Sequence, residues 1–336
     1  MTYLTKNHFF ALIISQLFLT ISPASAQDIN FFRIGTGGTV GTYYPVGGVI
    51  AQAISNPPGS LSCENGGSCG VPGLVAIAQS SNGSVSNIRG IANGTLESGF
   101  AQSDTVYWAY SGTGVFKGEK PADNLRVIAN LYPESVHVVA RKGSGIQTIS
   151  DLKGKRVSLD EPGSGTLIDA RLILDAYGLS ESDMKAEFIK PGLAVEKIKA
   201  NKLDAFFIVA GYPVSSVVRL ATQVGANLIP VNGPETDALI MKYRFFSRDT
   251  IPADSYPGIG ETLTVSVGAQ WVVGSNVEET LVYEITKAVW NKQSRKLLDE
   301  GHPRGKIIII DNALSGLGIP LHPGAERYYR ESGLIK

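Results

Sequence analysis

Short apolar runs alternate with segments whose apolar residues recur three and four apart, from residue 31 almost to the end of the chain. Phe31, Phe32, Arg33 and Ile34 predict a strand, and Tyr44 to Ile54 the helix after it. Leu74 to Ala78 predicts a second strand, which runs into a polar cluster before helical spacing resumes at Ile88, Ile91 and Leu96. Gly99 to Ala101 is a third, short strand, and Gln102-Ser103-Asp104 opens its helix. Leu125 to Leu131 and Ser135 to Arg141 predict two separate strands, and Asp151 to Leu159 a helix–turn–strand start. An amphipathic helix follows over Leu167 to Tyr177, then a strand over Ala205 to Val209. Leu263 to Val273 reads as a strand, Glu278 to Leu298 as one long helix and Pro323 to Glu331 as a short last one. Such alternation in both halves predicts two α/β lobes with parallel sheets.

The turns between these elements carry the chemistry. Gly35, Gly37, Gly38 and Gly41 lie between the first strand and its helix, with two threonines and almost no charge. Glycines let the backbone approach a ligand closely. The helix beyond presents unsatisfied N–H groups and the positive end of its dipole, which favour an anion. The spacing is not a dinucleotide fingerprint, because the third glycine position is Val40, and no Gly-Lys-Ser/Thr phosphate loop occurs in the chain. Ser80 to Asn87 and Gln102 to Asp104 repeat the device with uncharged donors, as do Pro162 to Thr166 and Ala210 to Pro213. One such turn is an ordinary helix cap. Several in succession predict strand ends that converge on a common crevice.

The first residues change the picture of where the chain works. One lysine precedes an apolar run over Phe9 to Ile21, and Ala24-Ser25-Ala26 supplies small residues, which is the pattern of a secretory signal cleaved after Ala26. Gln27 follows, so a lipid anchor is not indicated. The mature chain is expected to be exported and soluble. Charge is balanced at 30 basic and 30 acidic residues, and losing Lys6 with the signal leaves −1. That balance argues against nucleic acid or an anionic membrane surface as partner. Cys63 and Cys69 are the only cysteines, and in an exported chain an isolated pair is expected to form a disulfide. A metal site is the alternative, but no histidine lies near them. Gly66 to Gly70 matches Gly-x-Ser-x-Gly, yet no strand precedes it and no helical pattern follows, so it is read as coincidence.

Catalytic patterns are hard to find. His137, His302 and His322 sit near no nucleophile in sequence, and His137 alternates within an apolar strand as a structural histidine would. No Glu-x-x-His or His-Glu-x-x-His pattern offers a metal site. Asp104 and Glu134 are placed to face the crevice, where either would suit an ammonium group or serve as a cap. The expectation is a binding protein, not an enzyme, with no cofactor and no metal.

Seven motifs then recur in order: Ile34 to Gly48, Gly83-Ser-Val-Ser-Asn87, Ala101-Gln-Ser-Asp104, Leu131-Tyr-Pro-Glu134, Asp151 to Val157, Pro162-Gly-Ser-Gly-Thr166 and Leu321 to Tyr329. Together they closely resemble the TAXI family, the solute receptors of one branch of TRAP transporters. The resemblance implies a type II periplasmic binding protein fold, two α/β lobes joined by a two-strand hinge. It implies a periplasmic monomer that binds a small carboxylate, such as glutamate, 2-oxoglutarate or a related dicarboxylate, and delivers it to TRAP membrane permease subunits. The cysteine pair falls where many members carry cysteines. One lobe would hold residues 27–142 with 265–336, the other 143–264. The solute would meet Gly37, Gly38, Thr39 and Tyr43 at the first turn, Asn82, Ser84 and Asn87 at the second, and Gln102 and Ser103 at the third. From the other lobe it would meet Ser164, Gly165 and Thr166, and Gly211 with Tyr212. None of these turns contains Arg or Lys, so carboxylate capture is expected from helix N-termini and neutral donors. An ABC-type receptor of the same fold, or a secreted α/β hydrolase, are the other readings.

Overall fold

The computed structural model describes residues 29–336. The secretory signal and its cleavage after Ala26 lie outside the described residues. Strand β1 (Asn30–Gly35) leads to helix α1 (Tyr43–Ile54). Two-residue strands β2 (Ser55–Asn56) and β3 (Val71–Pro72) pair with each other beside the cysteine loop. Then come β4 (Leu74–Gln79), α2 (Ser84–Ala92), β5 (Ser98–Gln102), α3 (Ser103–Ser111) and β6 (Leu125–Arg141). The middle of the chain gives β7 (Arg156–Ser158), α4 (Gly165–Ala176), β8 (Lys185–Glu187), α5 (Pro191–Lys199), β9 (Ala205–Ala210), α6 (Ser215–Gln223) and β10 (Ala226–Ile229). The chain ends with α7 (Pro234–Lys242), β11 (Ser247–Ile251), β12 (Thr262–Gly274), α8 (Glu279–Val289), α9 (Lys292–Gly301) and α10 (Pro323–Glu331).

The strands join in the order β4-β1-β5-β12-β6-β9-β7-β8, with β10 on β6 and β11 on β12. Two long strands therefore connect two halves. On one side β4, β1 and β5 run parallel, and on the other β9, β7 and β8 do. The connecting strands run antiparallel to their neighbours, so the sheets are mixed, not purely parallel as the sequence predicts. Nor are there two strands between 125 and 141. β6 is continuous through Pro133, which lies opposite Gly268 just where pairing with β12 gives way to pairing with β9 from Ser135 onward. A proline lacks the ladder N–H. The cost is small here, because Gly268 also sends its own N–H to Ser103 Oγ at 3.2 Å.

The helix predicted over 278–298 is broken. Asn291 caps α9 by accepting the Ser294 N–H at 2.8 Å, and its Nδ2 donates to the Cys69 carbonyl. Asparagine is a preferred N-cap, and here its side chain also ties down the cysteine loop. Cys63 and Cys69 are joined by a disulfide, with their Cα atoms 4.7 Å apart.

Separate apolar clusters hold the two halves. Phe32, Ile34, Ile50, Phe100, Trp271 and Tyr329 centre the first. Val138, Leu152, Val157, Ile173 and Phe207 fill one face of the second half, and Ile198, Phe206, Leu220 and Tyr256 the other. Fully burying one such side chain stabilises by about 1.5–3 kcal/mol. A fourth cluster joins α2 and α3 to α4, with Trp108 and Ile168 buried in it.

Candidate functional site

Each parallel strand stops at the same level, and the next helix starts there. The turns after β1, β4 and β5 face those after β7, β8 and β9 across a crevice of about 310 Å³. Gly83, with φ +107°, precedes α2, a conformation that glycine adopts without strain. Ser164 caps α4, accepting the Leu167 N–H at 3.1 Å. Contact between the two halves is close. Asn82 Nδ2 donates to the Pro162 carbonyl at 3.2 Å, and the Ser86 N–H to the Gly163 carbonyl at 3.0 Å. A Cβ on Gly165 would run into Gln102 Oε1 and Ser84 Oγ, so any larger residue there must push the Gln102 amide aside.

Ten of the residues expected at the solute do line the crevice: Gly37, Gly38, Thr39, Tyr43, Asn82, Ser84, Gln102, Ser164, Gly165 and Thr166. Four are placed elsewhere. Asn87 is buried beneath the first turn and donates to the carbonyls of Thr36 and Phe100, tying β1 to β5. Ser103 accepts the Gly268 N–H. Gly211 and Tyr212 form a contact between the halves: the Gly211 carbonyl accepts from Thr42 Oγ1 at 2.5 Å, and the Tyr212 carbonyl from Arg304 Nε at 2.7 Å. The Arg304 guanidinium also stacks on the Tyr212 ring, 3.4 Å from its centroid.

The hydroxyls of the lining residues are partly committed. Thr166 Oγ1 accepts the Val209 N–H at 3.0 Å, and the Thr166 and Ser164 hydroxyls act against the raised Asp160 carboxyl. Ser84 Oγ accepts the Gln102 N–H at 3.1 Å. Gln102 Oε1 is buried with no partner among the described residues.

Acidic groups are the surprise. Glu134 and Asp160 both line the crevice and both are buried. Glu134 accepts from the Tyr43 hydroxyl at 2.6 Å. Burial pushes its carboxyl up to about 8, against that hydrogen bond and nearby Arg304, with Asp104 adding to the rise. Burial likewise raises Asp160 to about 7, against the N–H of Glu161 and the hydroxyls of Ser164 and Thr166. Both can hold a proton near neutral pH. Either a solute acceptor meets their O–H, or a solute cation meets their carboxylates. Lys190 Nζ also lies at the crevice, 3.3 Å from the Glu161 carboxylate. Among the described residues, no arginine lines it.

Sequence reasoning places Glu134 but misses Asp160, Lys190 and Arg304. Asp160 has a signal: an acid at the end of an apolar strand just before Glu-Pro-Gly, held at φ +72°. That left-handed geometry is one aspartate tolerates better than most residues. Arg304 has none, since it joins the contact between the halves from a segment 92 residues after Tyr212.

His137 is buried, with Nε2 2.7 Å from the Tyr256 hydroxyl and Nδ1 2.8 Å from the Ser135 carbonyl, and burial lowers it to about 4. Among the described residues no group of three His, Cys, Asp or Glu could hold a metal, and no helix is long and apolar enough to cross a membrane.

The NMT1-like family matches residues 34–333. Among solved structures, PhnD1 from Prochlorococcus marinus in complex with methylphosphonate is similar at a TM-score of 0.52 and 13% identity, over 91% of this chain and 99% of that one. The periplasmic aliphatic sulphonate binding protein SsuA from Escherichia coli gives a TM-score of 0.43 and 14% identity, over 89% of this chain and 78% of that one. The fold is that of the periplasmic binding proteins: mixed α/β, with two lobes joined by β6 and β12.

Proposed function

We propose that this chain, which belongs to the NMT1-like family, captures a small organic anion between its two lobes and hands it to a membrane transporter. The carrying observation is the crevice itself, enclosed between helix starts of both halves and lined by backbone and neutral donors. Helix N-termini and hydroxyls suit an anion held away from water. Delivery to an ABC-type transporter is the first reading, since it takes in both the family membership and the fold shared with PhnD1. The TAXI receptor of a TRAP transporter is the second and rests on the motif set. Export to the periplasm after cleavage at Ala26 fits either.

Within the class of small carboxylates, Glu134 and Asp160 favour an amino acid such as glutamate over 2-oxoglutarate. An ammonium group beside them would favour the carboxylate form and pair its charge with one of the two. The two lobes move as bodies about β6 and β12, turning where β6 exchanges partners. Mass spectrometry of the solute that co-purifies with the exported protein tests the reading. A small amino acid or other organic anion at near one per chain is expected, and a neutral sugar or a metal in its place would overturn it.

A further inference from the structure

Asp104 near the start of α3 and Asp169 in the second turn of α4 face each other from the two halves of the molecule, and each is 0 % exposed. Their neighbours Val106, Trp108 and Ile168 share one buried cluster, so both carboxyls lie where α3 meets α4, and the charge of Asp104 adds to burial in raising Asp169. Asp104 Oδ2 and both oxygens of Asp169 have no hydrogen-bond partner among the described residues. Thr105 Oγ1 donates to Asp104 Oδ1, at 3.4 Å. Two carboxylates cannot share a dry interface, because each would be a buried, unpaired charge repelling the other. A proton between them turns the repulsion into a charge-assisted hydrogen bond, the O–H of one donating to the oxygen of the other.

We propose that Asp104 and Asp169 hold one proton between them as a clamp across the lobes, so that closing on solute takes a proton from solvent. The pair belongs to neither the crevice lining nor the Arg304–Tyr212 contact. The titratable groups around it are Asp104 on α3, Asp169 on α4 and Glu134 on β6, and Glu134 in turn feels Asp104 and Arg304. All three neighbours of the shared proton are acids, so no basic group facing it supplies the missing charge. Burial raises Asp104 to about 6 and Asp169 well above its ordinary range. A group raised in the closed form contributes closing energy that is complete at low pH and is lost as pH rises through the raised value. Solute affinity therefore falls with rising pH, by up to about tenfold per pH unit for one linked proton.

Two measurements decide it. Infrared spectroscopy of the mature protein carrying its co-purified solute, at pH 7, should show neutral carboxylic acid intensity, part of which disappears in Asp169→Asn and in Asp104→Asn while the Glu134 and Asp160 contributions stay. Unchanged intensity in both folded variants would overturn the clamp. Calorimetric titration with L-glutamate, in two buffers of different ionisation enthalpy, should show a proton balance shifted towards uptake in the wild type relative to Asp169→Asn, on top of any release from Glu134 and Asp160. An equal balance in the two proteins would also overturn it. The calorimetric arm rests on the solute reading above, whereas the infrared arm uses whatever solute holds the protein closed and does not depend on its being glutamate. Failure of L-glutamate to bind would count against that reading, and the infrared result would still decide the clamp.

Discussion

At Gly165 the two halves meet with no room for a methyl group. The obstacle there is the far end of Gln102 together with Ser84 Oγ, so the lobe itself can fold around an alanine. Gly165→Ala is therefore expected to melt within a few degrees of wild type yet lose solute affinity at least tenfold by calorimetry. Gln102→Ala in the same chain should restore part of it, since the clash is with that amide. Glu134 gives a prediction in pH. Its carboxyl rises from 4.5 to about 8 in the fold, so its contribution to stability is full below about 4.5 and is lost as pH climbs to 8. Glu134→Gln removes that slope, and its melting temperature should decline less than that of wild type between pH 5 and pH 8.5. His137 acts in the opposite sense, because its lowered value makes stability fall as pH drops from about 6.5 towards 4. The residues that cap and cross the turns were legible in the sequence as small polar groups beside glycines. What each one touches was not. Asn87, Ser103, Gly211 and Tyr212 carry the same residue types as the lining groups, and only the distances between distant segments show that they hold the frame instead.

Elements were easiest to read where the period was clean. α4 shows it well, with a serine cap and buried Leu167, Ala170, Ile173 and Leu174. The break between α8 and α9 escaped because Val282, Ile285 and Val289 keep helical spacing up to it and no glycine or proline marks it. Asn291→Ala should cost about 0.5–2 kcal/mol by removing the α9 cap. It also frees one of the two side chains on the cysteine loop, leaving Gln293, which still bonds Cys69 N–H and the Gly67 carbonyl. Urea unfolding of that variant measures the loss, and a change below the lower bound would mean that the cap is dispensable. The continuous strand β6 was misread for a similar reason. Proline predicts a gap in a ladder, and sequence does not show that a change of partner strand lies at the same place.

The whole molecule is a closed form, with Asn82 against Pro162, Thr42 against Gly211 and Arg304 against Tyr212. A solute can favour this state only through contacts that the open state lacks. Without solute, small-angle scattering should give a larger radius than the closed structure. Saturating L-glutamate should shrink it and raise the melting temperature, by mass action on the bound form. Identical profiles with and without a tightly bound solute would rule out lobe closure. The connecting strands also set an order in time. The half built on β7, β8, β9 and β10 takes its residues from one uninterrupted stretch, and it can finish while the rest is still incomplete. The half around Phe32 and Phe100 cannot, because Trp271, Val282 and Tyr329, which cover them, arrive last. Contacts so distant along the chain form slowly and leave apolar surface bare in the meantime. Pulse-labelled amide exchange during refolding should therefore protect Phe207 well before Phe100, and the longest-lived sticky species should be one in which the beginning of the chain waits for its end.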